Sequence, residues 1–264
     1  MTEDILIRED ANSVATLTMN TPNTLNALSE DMIQALQSQF DELMEDVGTR
    51  VVILRGAGKV FCAGHNLKEM TAARQAEDGG KKYWLDLFAK CTKMMTSIPK
   101  LPQPVICQPH GLATAAGCQL VASCDMAVTD TETKFGVNGV NIGLFCSTPM
   151  VALSRNIPRK QAFEMLTTGN FITAQKAMEL GLVNRVVDAA DLETEANELA
   201  QLVASKLGAA VKVGKRAFYD QIQMSLQEAY AFTGEVMANN MAFRDTEEGI
   251  AAFLEKRPPE WTNE

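Results

Sequence analysis

Histidine, tryptophan and basic charge are all scarce in this sequence of 264 residues, which holds two histidines and two tryptophans. His65 and His110 are therefore the only side chains that titrate near neutrality without perturbation. Lysine and arginine number 24 against 33 aspartates and glutamates, a net charge of −9. Nucleic acid and anionic membranes call for a basic face, so neither is expected as the main partner, and an anionic ligand requires a local basic patch. No stretch is a predominantly apolar run of the roughly 20 residues that a membrane span requires. The two uncharged stretches long enough to question, Leu101 to Cys124 and Phe135 to Ser154, are rich in Pro, Gly, Gln or Asn and read as buried walls of a site. Neither contains an Asp or Glu. Whatever chemistry they house, no carboxylate of theirs supplies it.

Paired metal-type cysteine spacing is also missing. Cys62, Cys91, Cys107, Cys118, Cys124 and Cys146 are scattered through the globular pattern, so reduced thiols in a cytosol-like compartment are expected, with no metal site and no disulfide framework. The start, Met1-Thr2-Glu3-Asp4, is acidic and lacks the basic and apolar regions of a signal peptide. The expected location is cytoplasmic, or the mitochondrial matrix if a transit peptide precedes this sequence.

Hydrophobic residues make up 46% and charged ones 22%, the usage of an ordinary globular protein. The length suits one substantial core with an appended subdomain. Val14 to Met19 nearly alternates and reads as a strand, ended by the turn residues Asn20-Thr21-Pro22-Asn23. Ser29 then caps a helix with an apolar stripe of Met32, Leu36, Phe40, Leu43, Met44 and Val47, and Glu30 and Asp31 sit in its first turn, where the dipole favours them. Val51 to Leu54 follows as a buried strand, so the order strand, helix, strand predicts parallel units rather than hairpins. A second apolar helical stripe runs from Trp84 through Phe88 to Ile98. Val105 to Cys107 and Met126 to Val128 are further strands. Ala174 to Leu180 reads as a helix stopped by Gly181, with a short strand over Leu182 to Val187. Beyond this the chain is helical, and Asp245 to Glu248 has capping-box spacing ahead of a final helix.

Two segments are built to present backbone to a ligand. Gly56 to Leu67 runs from a strand through a glycine-rich turn toward a helix, which leaves N–H groups unpaired. Gly111 to Gln119 places small residues at a helix start, where a ligand can approach the backbone closely. Together they can supply two convergent donors, able to stabilise an enolate or a tetrahedral oxyanion by about 3 to 4 kcal/mol per donor. The alternative is a pair of tight strand-to-helix turns with no ligand.

Phe61-Cys62-Ala63-Gly64-His65-Asn66-Leu67-Lys68-Glu69-Met70 resembles the first oxyanion segment of the enoyl-CoA hydratase/isomerase (crotonase) superfamily, and Gly111 to Asp125 resembles the second. Asn20 to Leu28, Phe135 to Gly143 and Glu248 to Arg257 are similar to three further motifs, so the resemblance spans nearly the whole chain. Gly111 to Leu120 and Val140 to Pro149 point to one branch within it. The resemblance implies an α/β fold, a crotonase (ClpP/crotonase-like) spiral of ββα units over residues 1–200, with a helical trimerisation region over 201–264. It implies trimers, or hexamers built from two trimers. The label it carries is enoyl-CoA hydratase, a lyase of fatty-acid metabolism, with coenzyme A as part of the substrate and no separate cofactor.

Carried over by position, the oxyanion donors are the backbone N–H groups of His65 and Ala116. Ala63, Leu67 and Lys68 lie along the acyl-CoA entry. Asn23 stands where many relatives carry a lysine near the CoA phosphates, and Phe253 and Lys256 match positions that reach CoA, often from a neighbouring subunit. The two catalytic glutamates of a hydratase of this family correspond to Gln119 and Gly139. Gln119 can orient water but has no useful protonation cycle, and Gly139 is expected only to make room. Adding water needs a base and an acid, each typically worth 100- to 10,000-fold in rate.

His65 as a base, Cys146 as a nucleophile and Glu69 reaching inward are the remaining chemical options. Each stands against a blander role: a hydrogen-bonded ring, a buried thiol and a solvated helix face. His110 and Asp125 read as turn and strand-start anchors, and Asn138 and Asn141 as holders of water or a polar acyl group. Two functions fit: an acyl-CoA enzyme relying on its oxyanion hole, or a non-catalytic acyl-CoA-binding or regulatory homologue.

Overall fold

The computed structural model describes residues 4–262, so Met1–Glu3 of the acidic start lie outside the described residues. Among the described residues nine strands are formed: β1 (Leu6–Ala11), β2 (Val14–Met19), β3 (Val51–Gly56), β4 (Val105–Gln108), β5 (Leu112–Thr114), β6 (Met126–Asp130), β7 (Lys134–Gly136), β8 (Ile172–Thr173) and β9 (Arg185–Val187). The helices are α1 (Glu30–Glu45), α2 (Leu67–Ala72), α3 (Lys81–Ser97), α4 (Ala116–Ser123), α5 (Ser147–Asn156), α6 (Arg159–Thr168), α7 (Ala174–Leu180), α8 (Leu192–Ala204), α9 (Gly208–Gln221), α10 (Leu226–Met241) and α11 (Arg244–Glu255).

The main sheet has the order β1-β2-β3-β4-β6-β9, and a second, three-stranded sheet the order β5-β7-β8. In the main sheet the predicted parallel pairing holds from β2 onward, with Val14 opposite Val51 and Ile106 opposite Met126, whereas β7 and β8 of the second sheet pair antiparallel. The sheet nevertheless begins with a hairpin, because Asn12 and Ser13 take φ of 51° and 62°, the conformation a two-residue turn between twisted strands requires. The uninterrupted Val-Val-Ile-Leu run of β3 follows from covering on both faces. Val52 and Leu54 join the core with Leu36 and Phe40 of α1, while Val51 and Ile53 pack with Ala196 and Leu199 of α8.

Ser29 caps α1 as predicted, its Oγ accepting the Met32 N–H at 3.1 Å. The apolar stripe ends at Leu43, however: Val47 lies past the helix and is 99% exposed, and Met44 is 43% exposed. Gly181, at φ 84°, closes α7. The strand expected from Leu182 starts only at Arg185, since Asn184 pairs instead with Ala127, side chain and backbone both. The capping box predicted at Asp245 is not formed. Asp245 is buried and its carboxylate accepts from the N–H and hydroxyl of Thr262, whereas a capping box opens α10 at Ser225 and Glu228.

A buried ion pair ties α9 to the core. Lys215 Nζ donates to Asp125 at 2.6 Å and to the carbonyls of Ile98 and Gln103, and the Tyr219 hydroxyl donates to the other Asp125 oxygen at 2.7 Å. The Val105 N–H also reaches Asp125, so this residue anchors β4 as well as α9. α10 buries no residue and exposes Leu226, Tyr230 and Met237. Among the described residues no helix is long and apolar enough to cross a membrane.

Candidate active site

The first glycine-rich segment leaves β3 and lies down beside β5. The Phe61 N–H donates to His110 O, the Cys62 N–H to Leu112 O and the Thr114 N–H to Cys62 O, at 2.9, 3.2 and 3.0 Å. Side chains are excluded from this junction: a Cβ on Gly117 would lie 2.3 Å from the Cys62 carbonyl oxygen, and one on Gly64, whose φ is 90°, would lie 3.0 Å from Ala115 Cβ and 3.4 Å from Ala116 N. Two donors are left over. No acceptor among the described residues takes the N–H of His65 or that of Ala116. Ala116 opens α4, where an N–H has no intrahelical partner. Ala115 before it is held at φ 50°, ψ −118°, a backbone conformation that a residue with a Cβ rarely adopts. That ψ sets the plane of the next peptide and so the direction of the Ala116 N–H.

Both segments border a cavity of about 350 Å³, which receives Ala63, His65, Leu67, Ala116 and Gly139 from the expected set. Its remaining walls are largely apolar, among them Met70, Phe88, Ile142 and Phe145, and no Asp or Glu lines it. Ile142 and Phe145 come from the Phe135 to Ser154 stretch read as a buried wall of a site, whereas Met70 and Phe88 are missed, Phe88 standing within a stripe that reads simply as core. The Thr114 hydroxyl donates to Asn138 Oδ1 at 2.7 Å on one side of the cavity.

The His65 ring is tied down beside its own backbone donor. With Nδ1 protonated it donates to Leu28 O at 3.3 Å, while the Leu28 N–H donates to Gly64 O at 2.8 Å. Burial lowers the imidazole pKa and the Leu28 carbonyl offsets this only in part, so the ring is held neutral. Its Nε2 is buried without a partner, and the ring packs 5.6 Å from that of Phe88. The side chain thus fixes the peptide that carries the free N–H. Burial likewise raises the Cys146 pKa, which disfavours the thiolate a nucleophile needs. Glu69 caps α1, accepting the Glu30 N–H, and also accepts from Asn66. His110 bonds the Gly58 carbonyl as a turn residue.

The two acid positions part company. Gln119 lies one helical turn after Ala116, borders a second cavity of about 910 Å³ rather than the first, and its Oε1 is buried without a partner. Gly139 borders the first cavity, but the expectation that it makes room is corrected: a Cβ there would sit 2.2 Å from the Leu144 carbonyl oxygen and 2.8 Å from Cys146 Sγ. A tight turn, closed by the Leu144 N–H to Gly139 O bond at 2.9 Å, fills the space. Asn23 on the turn Pro22–Thr24, Lys68 on α2, and Phe253 and Lys256 at the end of α11 are exposed and border neither cavity.

The model of one protein family, enoyl-CoA hydratase/isomerase, matches residues 9–264. Mitochondrial enoyl-CoA hydratase domain-containing protein 3 from Xenopus laevis is 45% identical over 259 residues, covering 98% of this chain and 86% of its own length. Its Homo sapiens counterpart is 45% identical over 251 residues, covering 95% of this chain and 81% of its own. Among solved structures, an enoyl-CoA hydratase from Mycobacterium smegmatis superposes with a TM-score of 0.94 at 52% identity, covering 98% of this chain and 99% of that one. The crystal structure of the human domain-containing protein 3 gives 0.93 at 42% identity, covering 98% and 100%. That is the branch to which Gly111 to Leu120 and Val140 to Pro149 point.

Proposed function

The chain belongs to the enoyl-CoA hydratase/isomerase family and has its crotonase fold, and from this we propose that it is an acyl-CoA-thioester enzyme whose chemistry rests on an oxyanion hole without hydratase carboxylates. The observation that carries the proposal is the pair of N–H groups at His65 and Ala116 that no acceptor among the described residues takes. A thioester oxygen seated between them accepts both bonds. The negative charge that builds on that oxygen as the α carbon is deprotonated, or the β carbon attacked, is then stabilised, by about 3 to 4 kcal/mol per donor. The acyl group occupies the first cavity, and coenzyme A enters as part of the substrate, with no separate cofactor.

Ala63, Leu67 and Lys68 border the entry in this reading. Asn23 offers CoA a neutral amide in place of a cation. Phe253 and Lys256 serve a neighbouring subunit, which suits their exposure at the far end of α11. Residues 201–264 form the trimerisation region, and two trimers form the hexamer; the exposed Leu226, Tyr230 and Met237 of α10 are the apolar surface such assembly covers. Six free, buried cysteines suit a reducing compartment, the cytoplasm or the mitochondrial matrix.

A second reading is a non-catalytic acyl-CoA-binding or regulatory homologue. The closed turn at Gly139 and a first cavity without any carboxylate favour it. The two separate in one set of assays: titration calorimetry with octanoyl-CoA, and hydration of crotonyl-CoA by wild type and by Gln119→Glu. We expect binding, and wild-type turnover above the buffer rate but far below that of a carboxylate-bearing hydratase. Turnover at the buffer rate in wild type, appearing only in Gln119→Glu, would establish the second reading. Absence of octanoyl-CoA binding would overturn both.

A further inference from the structure

The second cavity has a charge that the rest of the molecule does not. The chain as a whole is acidic, yet Lys100, Arg155 and Arg216 border this cavity against only two carboxylates, Asp125 and Asp220. Both carboxylates are engaged. Asp125 is taken up by Lys215, Tyr219 and the Val105 N–H, and Asp220 lies 3.7 Å from Arg216. Among the described residues Lys100 has no carboxylate partner, and Arg155 donates only to the Val151 carbonyl of its own helix. Here is the local basic patch that an anionic ligand of an acidic protein requires.

The cavity is also placed as a continuation of the first. Thr148 borders both. Ala116 faces the first cavity, while Gln119, Ala122 and Ser123 of the same helix face the second. From Ala116 to Ser123 the helix rises roughly 10 Å, the reach of a medium-length acyl chain laid along α4. At the neck, the Gln119 side-chain Oε1 is buried and has no partner among the described residues. A buried polar atom without a partner is uncommon, and this acceptor has room for a water at the neck.

We infer that the second cavity receives the distal end of the acyl chain and that this end is anionic, so that the preferred ligand is a medium-length ω-carboxyacyl-CoA. The inference rests on the thioester reading above and adds the identity of the acyl group to it. The thioester oxygen binds at His65 and Ala116, the methylenes pass Gln119, and the terminal carboxylate meets Lys100 and Arg155. Apolar side chains such as Met95 and Val151, also on this wall, suit the methylenes before that end.

Calorimetric titration of the full chain with octanoyl-CoA and with suberoyl-CoA, its ω-carboxy analogue, tests this. The same pair is run on Lys100→Met/Arg155→Met. Both residues are exposed, so the variant is expected to keep its fold, and thermal denaturation checks that. Wild type is expected to prefer suberoyl-CoA by about tenfold, the yield of a charge-assisted contact. The variant is expected to bind octanoyl-CoA as before and to lose that preference. Equal affinity of wild type for the two thioesters, or a preference that survives in the variant, would overturn the inference and leave the thioester reading standing. Binding of neither would sink the thioester reading and this one with it. Free suberate bound as tightly as suberoyl-CoA would make the cavity a separate carboxylate site, contrary to a continuous channel.

Discussion

The two cavities that follow one another along α4 are built by opposite means. The first is shaped by backbone: Gly64, Gly117 and Gly139 bring main-chain atoms so close that no side chain fits between them, and the two free donors are peptide N–H groups. The second is shaped by long side chains from several helices and kept in place by one buried ion pair, Lys215 with Asp125. A backbone site draws its donors from the main chain and tolerates almost no added bulk where the segments touch. A side-chain site is the reverse: its wall residues are interchangeable in packing, and its geometry hangs on whatever docks the helix that carries them.

The largest expected effect breaks the second cavity alone. In Lys215→Met the Asp125 carboxylate keeps Tyr219 and the Val105 N–H but loses its countercharge, and the carbonyls of Ile98 and Gln103 lose their donor. Removing one partner of a buried pair typically costs about 3 to 5 kcal/mol. Urea denaturation should show a loss of that size, with α9 opening first in hydrogen exchange. Protection at the Cys62–Thr114 pairing should persist until global unfolding. Loss of protection at both cavities together would mean that they are one unit and not two.

The next effect breaks the first cavity. Gly117→Ala places a Cβ where the Cys62 carbonyl oxygen lies 2.3 Å away, so the first segment must move. Overpacking of this kind costs about 1 to 3 kcal/mol. Because the displaced segment carries the His65 N–H, octanoyl-CoA affinity should fall more than stability predicts. A variant that loses stability but binds octanoyl-CoA as wild type does would show that the two donors do not act together.

The same contrast explains what is legible in the sequence. Small residues in a row announce close backbone approach, so Gly56 to Leu67 and Gly111 to Gln119 mark the first cavity by residue type alone. The strands β2 and β3, the Ser29 cap and the Gly181 stop follow from local pattern and turn chemistry. The closure at Gly139 does not, because the obstructing atom is the carbonyl of Leu144, and a carbonyl has no residue code. The second sheet escapes because its strands are two or three residues long. Lys100, Arg155 and Arg216 look like scattered surface charge, since three separate helical segments bring them together. Spacing points to a capping box at Asp245, yet the box forms at Ser225, because burial against Thr262 outweighs local spacing.

A smaller effect sharpens the comparison with its sign. Ala115 takes φ 50°, ψ −118°, so Ala115→Gly removes strain while making the unfolded chain more flexible. The net expectation is a gain of about 0.5 to 1 kcal/mol. Ala89→Gly, on the exposed face of α3, should instead lose about 0.5 to 1 kcal/mol. Chemical denaturation of the two variants side by side should give opposite signs. A loss at both would show that Ala115 is not strained in solution.

The smallest effect is a slope with pH, and it belongs to the cavity that has no carboxylate. Burial holds the folded-state pKa of His65 below its ordinary value. Above about pH 6.5, the unperturbed histidine value, the imidazole is neutral in folded and unfolded chains alike and adds no pH dependence. As pH falls through that value the unfolded chain takes up a proton that the folded chain refuses, so stability declines until the lowered folded pKa is reached. His65→Asn retains a donor in reach of the Leu28 carbonyl and cannot titrate, so its stability between about pH 7 and 5.5 should fall less steeply than that of wild type. Parallel curves for the two would place the acid sensitivity elsewhere and leave the His65 ring no more than a passive wall of the first cavity.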